Sequence, residues 1–364
     1  MNNLFIVRTP LQLLSAYILA RSQGGGNYNH LMLLNPRGEE LWHKGYCVNK
    51  MSTDTGVWGK ITMRRHRIVR RSEIRQIKKR LADMRSELST HGDVDMVYLG
   101  ADREFDNQLL VQLAGKSSYA RLDDGVWSYS SPDRSFLKKL EFLLWAKFVH
   151  LYSRFSNTMT YNLRSGGYGK AAVADYLFKP ELLQRYSPQA VGIDQKAIHT
   201  ALESLTQGMQ TDERMEGRKS IIFLGSTHVD KKLIERGCEE TILEGLYQLA
   251  NEAEIQLVYK SHPFEKKEKL EYYRRKMPAI YFTDFADPIE IIVYKYAKIQ
   301  ALLAYSSSGL LYADVFARQN IKSIALFDLY PVKEKDPYLK NILKAANVSI
   351  PIEFDNLVST MRNL

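Results

Sequence analysis

Between Ser220 and Phe327 the chain swings five times from a short apolar run to a helical or loop segment. The runs are Ser220–Leu224, Ile255–Tyr259, Ala279–Thr283, Ile299–Ala304 and Lys322–Phe327. Strands separated by helices read as βα units, and a succession of them predicts a doubly wound parallel sheet. The N-terminus opens in the same way. Leu4–Val7 reads as a buried strand. Thr9 caps a helix with Pro10 at its first position, where the missing N–H costs nothing. Leu11, Leu14, Ile18 and Leu19 give that helix an apolar face, Gly24-Gly25-Gly26 ends it, and His30–Leu34 is the next strand. Val94–Leu99 and Tyr119–Leu122 add two more. At 364 residues the chain has room for two such domains. In open parallel sheets ligands bind beyond the carboxyl ends of the strands, so the residues just after each strand carry the chemistry.

Three of those positions stand out. Tyr119–Leu122 runs into Asp123-Asp124-Gly125, Ile255–Tyr259 into Lys260-Ser261-His262-Pro263, and Ile299–Ala304 into Tyr305-Ser306-Ser307-Ser308-Gly309. Adjacent carboxylates repel, which raises the proton affinity of one of them, as a general base needs. Asp-Gly is equally a common turn pair. Pro263 confines His262 to extended backbone, and an imidazole beside a phosphate can stabilise or protonate it. Three hydroxyls at a helix start offer an anion cradle, whereas one serine would be only a cap. Gly225-Ser226-Thr227, after the first strand of the second half, belongs to the same side, and His228 is a weaker candidate beside it. A base, an acid and an anion site together suggest group transfer from a phosphate-activated donor.

The net charge of +10 is concentrated: residues 60–85 hold eleven Lys or Arg against Glu73 and Asp83. Ile74, Ile77, Leu81, Met84 and Leu88 step at helical spacing through this zone, and Arg75, Lys78, Lys79, Arg80 and Arg85 fill the rest of the surface. A solvated helix face is the plain reading, and docking to an anionic membrane or glycolipid the sharper one. Nucleic acid is not expected, since no recognition motif accompanies the charge. Phe136–Tyr152 reads as an apolar helix interrupted by Lys138, Lys139, Glu141 and Lys147, expected in the core or, failing that, at an interface beside the site. No apolar run reaches the roughly 20 residues of a membrane span. Cys47 and Cys238 are far apart, with no CxxC pair and no metal-ligand cluster, which favours a reducing compartment and argues against zinc. No secretory leader is visible in the first residues, and a cytoplasmic location is expected.

The strand-end segments together resemble the motif set of bacterial GT-B sialyltransferases: an acidic-acidic-Gly motif (Leu122-Asp123-Asp124-Gly125), a His-Pro motif (Tyr259-Lys260-Ser261-His262-Pro263) and a serine motif (Tyr305-Ser306-Ser307-Ser308). The opening Val7-Arg8-Thr9-Pro10-Leu11-Gln12-Leu13 resembles the start of glycosyltransferase family 52, the lipooligosaccharide sialyltransferases. Capsular polysialyltransferases share the later motifs. The resemblance implies a GT-B fold, two Rossmann-like domains facing across a central cleft. The expected division is an acceptor domain at 1–155, a helical connection at 156–217 and a nucleotide-sugar domain at 218–364. It implies CMP-sialic acid as donor, inversion at the sugar, and no catalytic metal or cofactor. By motif, an aspartate of the acidic pair, Asp124 ahead of Asp123, would deprotonate the acceptor; Asp230 and Glu240 stay as rivals. His262 would assist departure of the CMP phosphate. Lys260, Pro263, Ser306, Ser307, Ser308, Gly225, Ser226 and Thr227 would line the donor side, and Thr9, Pro10 and Gln12 the acceptor side.

The expected function is sialyl transfer to a terminal galactose or other hydroxyl of a bacterial surface glycan, whether lipooligosaccharide, O-antigen or capsule. The enzyme would sit peripherally on the inner face of the inner membrane, held by residues 60–85; the resemblance also admits a homodimer. The rivals are another nucleotide sugar on the same fold, as in glucosyltransferases, and a non-catalytic basic binder of lipid or nucleic acid.

Overall fold

The computed structural model describes the chain apart from residues 35–39, 65–73, 91, 103, 130–134, 154–170, 184–188, 331–336 and 363–364. It divides into two units: Met1–Lys44 with Val48–Ala201, and Gly45–Cys47 with Leu202–Leu364.

The first unit holds seven parallel strands: β1 (Asn2–Val7), β2 (Tyr28–Leu34), β3 (Lys60–Arg64), β4 (Met96–Leu99), β5 (Tyr119–Leu122), β6 (Ala172–Leu177) and β7 (Ala190–Gly192). Their order across the sheet is β3-β2-β1-β4-β5-β6-β7. Chain order reverses between β1 and β4, the position at which open α/β sheets commonly bind ligands. β1 is buried from Asn3 onward, and the helix Pro10–Ser22 that follows is buried from Gln12 through Ala20. Thr9 caps that helix, its Oγ1 accepting from the Gln12 amide at 3.2 Å. The helix Ile74–Ser89 packs Ile77, Leu81, Met84 and Leu88 into the core with β1, β2 and β4, as the spacing predicts.

The second unit is a five-stranded parallel sheet: β8 (Ser220–Leu224), β9 (Gln256–Lys260), β10 (Tyr281–Thr283), β11 (Ile299–Ala304) and β12 (Lys322–Ala325), in the order β10-β9-β8-β11-β12. β8 is central, with β9 and β11 on either side, which again sets the switch point at its carboxyl end. Ile221, Phe223, Leu243, Leu246, Leu257, Tyr259, Ala301 and Leu303 form its core.

Two expectations are corrected. The stretch expected to be a helical connection, 156–217, instead carries β6 and β7, which complete the first sheet, and then the helix Gln195–Thr206. These strands were missed because Ala172–Leu177 alternates weakly, with charged Asp175 buried inside: Asp175 pairs with Arg121 of β5 at 3.0 Å. Ser165–Gly169 lies outside the described residues, as do 65–73 of the basic zone. The helix Phe136–Ser153 is packed on one face only and leaves Phe136, Leu137, Leu144 and Leu151 exposed, so it is not a core helix. No helix among the described residues is long and apolar enough to cross a membrane.

Candidate functional site

In the first unit the acidic turn sits at the end of β5. Gly125 has φ +75°, the left-handed conformation glycine adopts without strain, so the chain turns at once after the aspartates. The two carboxylates have separate fates. Asp123 is fully buried and accepts hydrogen bonds from Tyr129 Oη at 2.5 Å, from the Phe178 amide at 3.0 Å and from the Gly125 amide at 2.9 Å. Phe178 follows β6, so Asp123 stitches the ends of β5 and β6 together. Asp124 is only partly buried. Its Oδ1 accepts from Gln12 Nε2 at 2.5 Å, and its amide donates to Ser128 Oγ at 2.6 Å. Burial raises its pKa to about 6; the Gln12 hydrogen bond opposes this, and the Asp123 charge adds to it. A carboxylate poised there is suited to accept a proton near neutrality.

Gln12 is itself fixed. Its Oε1 accepts from the Arg8 amide at 2.8 Å, and its side chain lies across Gly100 at the end of β4, where a Cβ would collide with it. Arg8 reaches Asn107 at 2.9 Å and Asp106 at 3.6 Å. Of the residues expected on the acceptor side, Gln12 meets Asp124, and Thr9 and Pro10 start the helix that places it. Gly100, Ser128 and Tyr129 were not foreseen; Gly100, closing a strand, was the one legible signal.

In the second unit the segments expected on the donor side follow β8, β9 and β11, the three central strands. His262 is exposed, and its Nδ1 accepts from the Phe264 amide at 3.1 Å. A ring nitrogen that accepts carries no proton, so in the neutral ring Nε2 bears the hydrogen as a donor. The His262 amide donates to Glu265 at 2.6 Å. Glu265 also accepts from Tyr259 Oη at 2.6 Å and Lys269 Nζ at 2.7 Å, and Lys269 reaches the Ser226 carbonyl at 3.0 Å and Glu239 at 2.7 Å. Burial alone would pull the Lys269 pKa down; Glu239 and Glu265 push it above its ordinary value, so it stays charged. This buried pair ties the loop after β9 to the loop after β8. Gly225 has room for no side chain, because Glu265 and Tyr259 occupy the space. Neither Glu265 nor Lys269 was singled out from sequence; acidic and basic residues on a Lys-rich helix read as solvated.

The serine run also departs in detail from a simple cap. Ser308, not Ser306, precedes the helix Gly309–Phe316, and it makes no side-chain cap; the Gly309 amide donates to Ser307 Oγ at 3.2 Å. Tyr305 is buried, stacked on Phe327 and edge-on to His228 at 4.5 Å, joining the ends of β11, β12 and β8. His228 lies 2.6 Å from Ser226 Oγ; burial, then Lys231 and Lys269, lower its pKa to about 4, so it is neutral. Lys260 is buried, with Nζ donating to the Phe285 carbonyl at 3.2 Å, and burial lowers its pKa against the pull of Glu290 and Asp287. It braces β9 against the loop after β10 rather than offering its charge outward. Of the rival bases, Glu240 pairs with Lys276 at 2.5 Å, and Asp230 accepts from the Lys266 amide at 3.1 Å. No group of His, Cys, Asp and Glu suited to a metal occurs among the described residues.

Solved structures similar to this chain include UDP-N-acetylglucosamine 2-epimerases. A UDP-N-acetylglucosamine 2-epimerase superposes with a TM-score of 0.59 at 12% identity, covering 100% of this chain and 86% of the other. The UDP-GlcNAc 2-epimerase of Neisseria meningitidis bound to UDP-GlcNAc gives 0.55 at 10% identity, covering 100% and 91%. That of Methanocaldococcus jannaschii in complex with UDP-GlcNAc and UDP gives 0.54 at 11%, covering 100% and 92%. The fold is GT-B, two Rossmann-like α/β units. Residues 3–326 match the family described as Alpha-2,8-polysialyltransferase (POLYST); the chain belongs to that family and is a glycosyltransferase of the sialyltransferase type. No curated protein matches significantly.

Proposed function

We propose that the protein transfers sialic acid from CMP-sialic acid to a hydroxyl of a bacterial surface glycan, with inversion at the anomeric carbon and without a metal. The observation that carries this is the Gln12–Asp124 pair, a partly buried carboxylate with its pKa raised to about 6 at a strand end. Asp124 takes the proton of the acceptor hydroxyl as that oxygen bonds to the anomeric carbon. The bond from that carbon to the phosphate oxygen breaks, and CMP leaves. His262, through its Nε2 hydrogen, donates to the departing phosphate. Ser306, Ser307 and Ser308 hold that phosphate, with Gly225, Ser226 and Thr227 beside it. Pro263 fixes the histidine loop and Lys260 supports it from within. Asp123 serves by holding the turn. The family match supports a sialyl acceptor, with its 8-hydroxyl attacked, alongside the terminal galactose that the family 52 resemblance implies.

The test is CMP release from CMP-sialic acid with lactose or short oligosialic acid as acceptor, repeated with chelator, and mass analysis of the sugars. A sialylated product unaffected by chelator is expected. CMP release without a sialylated product would keep the donor and reject both acceptors. No release with any acceptor, together with thermal protection by a uridine nucleotide but not by a cytidine one, would overturn the donor assignment.

A further inference from the structure

The helix Phe136–Ser153 has two apolar faces, and its unit covers only one of them. Val149 enters the core of the first unit, Ala146 and His150 are buried, and Trp145 and Tyr152 pack against that core. On the other side Phe136, Leu140, Leu144, Phe148 and Leu151 follow one another at steps of four, four, four and three, a single stripe along the helix. Leu137 widens it. Phe136, Leu137 and Leu151 are 77%, 75% and 83% exposed and Leu144 is 59% exposed. From Phe136 to Leu151, at a rise of about 1.5 Å per residue, the stripe is roughly 22 Å long. An exposed strip of that length, apolar but for Lys147, marks a contact site on a folded surface.

The charges around it select the occupant. Lys147 stands within the stripe, three residues after Leu144 and four before Leu151, and Lys138 is exposed at the start of the helix, with Lys139 half-buried; Glu141 is the one carboxylate on the helix. The neighbouring helix Ile74–Ser89 exposes Arg75, Lys78, Lys79 and Arg85 against Asp83; its Glu87 is paired with Arg64. Lys78 Nζ lies 4.9 Å from the Tyr152 ring, so the basic helix borders the apolar one. A second copy docking through this stripe would set these cations against their own kind. An anionic lipid surface accepts both features at once: leucines enter the acyl boundary while lysine stems reach up to the headgroups. The helix cannot span a bilayer. The geometry points to Phe136–Ser153 as an in-plane membrane-binding helix, docked on an anionic bilayer surface and backed by the basic helix Ile74–Ser89. This differs from the contact expected in residues 60–85 alone, because the apolar stripe lies outside that zone. It rests on surface chemistry only and stands whichever sugar donor the enzyme uses.

The experiment is co-sedimentation of the full chain with phosphatidylcholine vesicles, with and without phosphatidylglycerol. Binding to the anionic vesicles is expected, weakened by salt. The variant Leu137→Glu/Leu144→Glu/Leu151→Glu should lose at least about tenfold in vesicle affinity. Its melting curve should match the parent, since those side chains are exposed. Lys138→Glu/Lys147→Glu should lose affinity for the anionic vesicles only. Parent protein that stays in the supernatant with anionic vesicles, or a triple variant that folds and binds like the parent, would overturn the proposal. So would a concentration-dependent dimer, by analytical sedimentation, that the triple variant abolishes in the absence of vesicle binding.

Discussion

Replacing Gln12 with methionine should move the acid limb of the pH–rate profile upward, and the structure sets the size of the move. Gln12 Nε2 donates to Asp124 Oδ1, and this hydrogen bond is the main influence holding the Asp124 pKa down against burial and the Asp123 charge. A hydrogen bond to an ionised group contributes about 1.5–3 kcal/mol. At about 1.4 kcal/mol per pKa unit its loss raises Asp124 from about 6 to roughly 7–8. Methionine keeps the chain length that packs across Gly100, so the turn keeps its support. If Asp124 is the base, it works only when ionised. Near pH 6 the parent is half ionised and the variant roughly 1–10%, so kcat/KM falls about 5–50-fold there, and the two converge near pH 9. The assay is CMP release under limiting acceptor from about pH 5 to 9. A rate that falls by the same factor at every pH, with the acid limb unmoved, would refute the reasoning: Gln12 would then position the turn without tuning the carboxylate.

The same carboxylate gives a stability test of opposite sign. Its folded pKa of about 6 lies above the ordinary aspartate value, so the fold gains from Asp124 below about pH 4 and loses that gain as pH rises through about 6. Asp124→Asn should therefore abolish turnover yet raise the melting temperature by a few degrees above about pH 6, with no gain near pH 4; the matching measurement is calorimetry across that range. His262→Ala should lower kcat by roughly 10²–10⁴-fold with donor affinity largely kept, read by steady-state kinetics; a loss below tenfold removes it from the acid role. Glu265→Gln should lower stability by about 3–5 kcal/mol, since Lys269 is left buried with one carboxylate fewer, and should raise the donor KM more than the acceptor KM. Equal changes in both KM values would mean that Glu265 only supports the fold.

Most strands of the second unit were legible because each is a short apolar run bounded by a turn signal, and β11 falls on the residues the pattern marks. Boundaries slipped where tertiary packing decides them. The helix after β8 begins at Arg236, because the backbone first loops through Lys232 in the left-handed region. β6 and β7 were illegible for a different reason. β6 carries a buried ion pair, Asp175 with Arg121, and a charged residue in a short run hides a strand from any periodicity, while β7 is three residues, too short to show a period.

The site followed the same division. Residues that carry the proposed chemistry could be picked out by type and place, because aspartate, histidine and serine at strand ends have few other uses together. The residues that fix them could not, since Tyr129, Glu265, Lys269 and Tyr305 act by joining strand ends distant in sequence. Asp123 shows how far that matters. Next to Asp124 it looks like an equal candidate, and only the Phe178 amide, 55 residues on, shows that its lone pairs are committed to the sheet. Asp123 is held by hydrogen bonds from Gly125, Tyr129 and Phe178, and Asp124, whose carboxylate accepts from Gln12, carries the upward shift, raised first by burial and then by the Asp123 charge. A motif of two acids thus yields one structural anchor and one carboxylate with a raised pKa, and the anchor is part of what tunes the other.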